Sequence, residues 1–126
     1  MNEQEFKNRT KTAALRVMRV VESLRRTRTA DVIGRQLLRS GTSVGANYRA
    51  ACRGKSTADV IAKLAIVEEE ADEAIYWMEI LVDCKLIPHK RIAELMGEMN
   101  QIVAMIVASQ KTLRRRNPKS KIQNPK

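Results

Sequence analysis

The stretch "VIAKLAIVEEEADEAIYWMEIL", residues 60–81, decides the fold. Val60, Leu64, Val67, Ala71, Ala74, Met78 and Leu81 alternate steps of four and three without a miss. On an α-helix those steps place all seven on one face, the seam of a heptad repeat. Ala58, Ile61, Ala65, Ile75 and Val82 add a second apolar stripe. The pattern predicts a helix of about 30 residues, roughly 45 Å long, which needs other helices to cover it. Ser56 or Thr57 is placed to cap its start.

Working outward, the same periodicity marks three more helices. In the first, Phe6, Ala13, Val17, Val20 and Leu24 share a face. Thr29 is placed to cap the second, with Asp31 favouring the dipole in its first turn. The second carries Ile33, Leu37, Val44, Tyr48 and Ala51 and stops near Gly54, read as a C-terminal glycine. "KLIPHK" breaks the third helix, and Pro88 suits the first turn of the fourth, whose face is Ile92, Leu95, Met99, Ile102, Ile106 and Leu113. Short connections between amphipathic helices make an antiparallel, up-down four-helix bundle over residues 1–113 the expected all-α fold. Residues 114–126 hold two prolines, much charge and little to bury, and are expected to be a basic, disordered tail. The apolar faces exceed what one four-helix core requires, which points to self-association.

The segment "SGTSVGANYRAACRGKS", residues 40–56, invites a catalytic reading. "GKS" at 54–56 lacks the glycine five residues upstream that a phosphate loop needs, and no strand precedes it. "GTSVG" at 41–45 matches the nucleophile-elbow string around Ser43, but that turn requires a preceding strand and a histidine, and the one histidine is His89. The reading that remains is a helix whose small residues let a neighbour approach closely, with Gly41, Gly45, Ala46 and Tyr48 at the contact. The acidic run of the third helix lacks the Glu-x-x-His pairs of a di-iron bundle. No metal, no cofactor and no enzymatic activity are expected. Cys52 and Cys84, inside apolar helical patterns, read as reduced, buried thiols. The N-terminus has no apolar signal segment and no apolar run approaches a membrane span, so the cytoplasm, with no membrane contact, is the expected setting.

Charge is segregated along the chain. Residues 1–55 hold 13 basic and 4 acidic side chains, residues 56–100 hold 4 and 10, and residues 101–126 hold 7 and none. Such asymmetry serves a polyanion or the mating of unlike faces. The candidate nucleic-acid contacts are Arg16, Arg19, Arg25, Arg26, Arg28, Arg35, Arg39, Arg49, Arg53 and Lys55 on one surface. Arg114, Arg115, Arg116, Lys119 and Lys121 would form a flexible arm. With so few aromatics for base stacking, backbone contact with RNA or DNA is favoured over base reading. The alternative is an oligomeric adaptor that docks an acidic protein.

Residues 33–81 resemble the four-helix bundle protein family, also called the 23S rRNA intervening-sequence protein family. The likeness lies in "QLLR", in "TSVGAN" and in the Lys-Leu-x-Ile-x-x-x-Glu-x-x-Glu run. "NYRAACRG" departs from the family's Asn-Ile-Ala-Glu-Gly turn. The resemblance implies a bundle without known enzymatic activity. Members were first noticed inside insertions in bacterial 23S rRNA genes. Relatives include the accessory protein of diversity-generating retroelements, a basic pentameric barrel that binds nucleic acid and a reverse transcriptase. By that likeness a ring-shaped homo-oligomer, a pentamer, is expected.

Overall fold

A computed structural model describes residues 1–116 and contains four helices, with no strands among the described residues. They are α1 (Glu3–Glu22), α2 (Arg28–Cys52), α3 (Thr57–Asp83) and α4 (His89–Arg116). α1 packs on α2, α2 on α3, α3 on α4, and α4 back on α1, so the four enclose one core. The heptad seam of α3 supplies Leu64, Val67, Ala71, Ala74, Met78 and Leu81 to it, all buried. Val17, Leu37, Val44, Ile92, Met99, Ile102 and Ile106 meet them from the other helices. Of the second stripe on α3, Ile61 and Ile75 are buried as well, while Ala58 is exposed.

Local chemistry sets the helix ends. Asn2 accepts from the Glu5 amide at 2.8 Å while Glu5 accepts from the Asn2 amide at 3.0 Å, a capping box. Ser56 caps α3 through the Asp59 amide. α2 is capped by Thr27 rather than Thr29: Thr27 Oγ1 accepts from the Ala30 amide at 3.1 Å. The earlier start puts Ala30 inside the first turn, where it is buried. Gly54 does follow the end of α2, but its φ is not positive. Its need for glycine is a close approach, since a Cβ there would lie 2.4 Å from Val60 Cγ2. The left-handed residue is Lys85, with φ 63°, where α3 ends in a Schellman turn: the Leu86 amide donates to Leu81 O and the Lys85 amide to Val82 O.

α4 runs to Arg116, so Arg114, Arg115 and Arg116 belong to its last turn and not to a tail. Three cations at a helix C-terminus suit the macrodipole, which explains the extra turn. Lys119, Lys121 and the rest of the expected tail lie outside the described residues. α4 is also long and apolar enough, by composition, to cross a membrane. Its five most apolar seam positions, Ile92 to Ile106, nevertheless face the protein core.

The glycines of α2 set its distance from α1. A Cβ on Gly41 would sit 2.9 Å from both methyls of Val17; one on Gly45 would sit 3.1 Å from Thr10 Oγ1; one on Gly34 would touch Val21 and Leu24 at 3.4 Å. Gly41 and Gly45 therefore lie where α1 comes closest to α2. Ala46 is exposed and lines the groove between the same two helices. Tyr48 is half-buried with its ring edge-on to Phe6, centroids 4.6 Å apart.

Two glycine substitutions should move stability in opposite directions. Gly41→Ala drives its methyl into Val17 and should cost about 1–3 kcal/mol. Gly97, inside α4, has nothing within 4 Å of its would-be Cβ, so Gly97→Ala should add about 0.5–1 kcal/mol. Thermal unfolding of the two variants checks both.

Candidate nucleic-acid interface

Ion pairs sort the cations into struts and free charges. Arg9 grips Glu98 with two hydrogen bonds of 2.8 Å and reaches Gln101 at 2.9 Å, bracing α1 on α4. Arg39 holds Glu70 at 3.1 Å and also pairs with Glu73, tying α2 to α3. It is thus engaged within the bundle, unlike the free surface contact expected of it. Arg16 meets Glu94 at 2.9 Å, but that carboxylate is 91% exposed, so the pair stays open to exchange. Arg19, Arg25, Arg26, Arg28, Arg35, Arg49, Arg53 and Lys55 are exposed and make no ion pair among the described residues. In the last turn of α4, Arg114 is half-buried, while Arg115 and Arg116 are exposed.

These cations, most of them unpaired, gather along inter-helix grooves together with Lys7, which pairs with Glu3 at 3.0 Å. One of about 450 Å³ runs between α1 and α2 and is lined by Lys7, Lys11 and Arg49, with Ala14, Gly45 and Ala46 among its small lining residues. A second, of about 350 Å³, lies at the α1–α2 turn and holds Arg25, Arg26 and Arg35 beside Glu22 and Asp31. A third, of about 230 Å³, lies between α1 and α4, where Arg16, Arg19 and Arg91 surround Val20 and Leu95. Lys7, Lys11 and Arg91 were not among the sequence candidates. Arg91 was hidden in an acidic segment, and only the packing of α4 on α1 brings it to two arginines.

The segment that carried the catalytic readings is helical throughout. Ser43 lies inside α2 and donates its hydroxyl to Arg39 O at 2.7 Å, the ordinary bond of a helical serine. Burial raises the Tyr48 phenol and the Cys52 thiol above their usual values, so both stay protonated near neutral pH. Cys52 is half-buried, and Cys84, against the expectation of burial, is exposed just past the end of α3. Among the described residues no group of three His, Cys, Asp or Glu side chains is placed to hold a metal ion.

A four-helix bundle with cationic inter-helix grooves is the class of protein that fold and surface define. The chain belongs to the 23S rRNA-intervening sequence protein family, whose model matches residues 2–108. It is similar to a solved structure from Bacteroides thetaiotaomicron, a protein of unknown function from the S23 ribosomal protein family. That likeness is 32% identical, covers 88% of this chain and 99% of that one, and has a TM-score of 0.81. No curated protein matches the chain.

The Arg39 strut has an optical reporter. Trp77, the one tryptophan of the chain, donates Nε1–H to Glu73 Oε2 at 3.1 Å. The hydrogen bond from Arg39, then that from Trp77, holds the Glu73 carboxyl below the usual glutamate range. Its stabilising effect is therefore complete above the ordinary glutamate pKa and disappears as pH falls through the lower folded value. Trp77 fluorescence should titrate with that depressed midpoint, and Arg39→Ala should move the midpoint up toward the ordinary value.

Proposed function

We propose that this chain is a non-enzymatic nucleic-acid-binding protein that grips backbone phosphates and works as a homo-oligomer. The observation that carries the reading is the arginine edge of α1. Arg16, Arg19 and Arg91 share one groove, Arg25, Arg26 and Arg35 share a second at the α1–α2 turn, and Arg28 is exposed at the start of α2. Guanidinium forks bind phosphate oxygens bidentately, and a rigid row of them fits a repeating backbone. With one tryptophan, two tyrosines and one phenylalanine in the whole chain, of which Phe6 is buried, base stacking has little to offer. Binding is thus sequence-tolerant, to RNA or DNA, and salt-sensitive.

The finer architecture belongs to the same proposal. Contacts run in reverse order along neighbouring helices: Gly34 with Val21, Gly41 with Val17 and Gly45 with Thr10 on one side, and Arg9 with Glu98 and Arg16 with Glu94 on the other. This supports an alternating up-down course. Leu15, Met18, Val32, Ile66 and Tyr76 are each more than two-fifths exposed, which supports burial of apolar surface in a ring of several copies, a pentamer.

Two measurements test this. Light scattering of the intact protein at micromolar concentration should give a mass several times 14.3 kDa. Fluorescence anisotropy with labelled RNA and DNA should show binding that weakens with salt. Each of Arg19→Ala, Arg26→Ala and Arg28→Ala should weaken all sequences alike and flatten the slope of log affinity against log salt by about 0.9 on duplex DNA. Failure to bind at low salt would exclude the nucleic-acid reading.

A further inference from the structure

The groove of about 450 Å³ between α1 and α2 is a charged pocket that the arginine edge does not use. It is short. Its walls run from Gln4 to Ala14 on α1, roughly 15 Å of helix, and from Thr42 to Arg49 on α2. Just beyond Ala14 and Thr42 the seam closes, where Gly41 lies against Val17. A space of this volume, shut at one end, suits a small molecule better than a strand passing through.

Its lining offers three kinds of surface. Lys7 and Lys11, one turn apart, stand on the α1 wall, and Arg49 stands on the α2 wall. Lys11 and Arg49 are exposed and make no ion pair among the described residues, and none of the described lining residues is acidic. Lys7 pairs with Glu3 at 3.0 Å, but both side chains are partly solvated, so that pair is weak. Next to the cations, Gln4 Nε2 donates to Asn8 Oδ1 at 3.1 Å. That bond leaves Gln4 a carbonyl oxygen and Asn8 an amide nitrogen to offer, an acceptor beside a donor. The third surface is small and smooth, made by Ala14, Gly45 and Ala46. The hydroxyls of Thr10 and Thr42 donate to Lys7 O and Leu38 O inside their own helices, so they bring no free hydrogen to the groove.

We propose that this groove binds a nucleoside 5′-monophosphate, either free in solution or at the phosphorylated 5′ end of a strand. The phosphate lies between Lys11 and Arg49, with Lys7 beside them. A doubly charged phosphate monoester has oxygens enough for a guanidinium fork and an ammonium at once. The base lies along Ala14, Gly45 and Ala46, where the lack of side-chain bulk leaves a surface that a flat ring covers. The Gln4 and Asn8 amides meet the edge of the base, which itself sets donors beside acceptors. The free nucleotide stands apart from the nucleic-acid reading above; the strand end rests on it.

Isothermal titration calorimetry of the intact protein at low salt tests the site. The ligands are the ribonucleoside 5′-monophosphates, with the unphosphorylated nucleosides and inorganic phosphate beside them. At least one monophosphate should bind at least roughly tenfold tighter than its nucleoside or phosphate alone. Lys11→Ala/Arg49→Ala should weaken that binding at least roughly tenfold. Ala46→Leu, which fills the groove and leaves the charge unchanged, should weaken it as well. Arg19→Ala, outside the groove, should not. The substituted residues are exposed, so circular dichroism should show equal helicity throughout. Fluorescence anisotropy separates the two sources. A 5′-phosphorylated oligonucleotide that binds tighter than its 5′-hydroxyl twin, by a margin that Lys11→Ala/Arg49→Ala removes, assigns the groove to a strand end. Equal affinities beside a bound free nucleotide assign it to the free nucleotide. Binding of neither source, inorganic phosphate that binds as tightly as every nucleotide, or binding that the groove variants leave untouched would overturn the site. A 5′-hydroxyl oligonucleotide that still binds in that case leaves the phosphate-gripping reading standing.

Discussion

Val17 sits where the side chain of residue 41 would otherwise be. Its two methyls lie 2.9 Å from the position of a Gly41 Cβ, so α1 and α2 are held closer than side chains on both would permit. A helix-interior glycine costs about 1 kcal/mol relative to alanine, and the packing it allows is the compensation. Much of the surface follows from that approach. Because the seam is lined by small residues, it stays open as grooves instead of being filled. The long cations of both helices then stand at the rims, where their apolar stems cover the seam and their charges reach water.

Electrostatics then divides the labour between the sides of the bundle. Arg9 and Arg39 spend their charge on carboxylates of neighbouring helices, and those pairs are part of how the bundle is held. Because each pair is partly solvated, its contribution is modest, and the core of Leu, Ile, Val and Met dominates stability. The cations without partners are concentrated on α1, on the α1–α2 turn and on the outer face of α2. Repulsion among them is a standing electrostatic cost. The acids on the outer face of α3 carry the opposite cost on another side of the molecule.

Much of this was legible in the amino-acid order. The unbroken three-four alternation from Val60 to Leu81 could only be a helix with one buried face, and the face it named is the buried one. Membership of the 23S rRNA-intervening sequence protein family was likewise readable from residues 33–81, and the match extends over residues 2–108. Ends were less legible. "RRTRT" offers two threonines that can each cap a helix, and only the burial of Ala30 against its neighbours selects Thr27. Gly54 was found for a reason that did not apply: its backbone is not left-handed, and its constraint is a side chain six residues ahead.

By itself, the sequence determined the number of helices, the residues each turns inward and the separation of basic from acidic segments. These depend on the 3.6-residue period and on composition, which are local properties of the chain. Only the tertiary structure decided which charges remain free. Arg35 and Arg39 are two arginines one turn apart on α2, with nothing local to tell them apart. Rotation of α2 against α3 puts Arg39 onto Glu70 and Glu73 and leaves Arg35 at the rim of a groove. In the same way, Arg91 sits in an acidic stretch and joins Arg16 and Arg19 only when α4 closes on α1. Partners 31 to 78 residues apart in the chain are chosen by how helices pack, and a local period carries no information about that rotation.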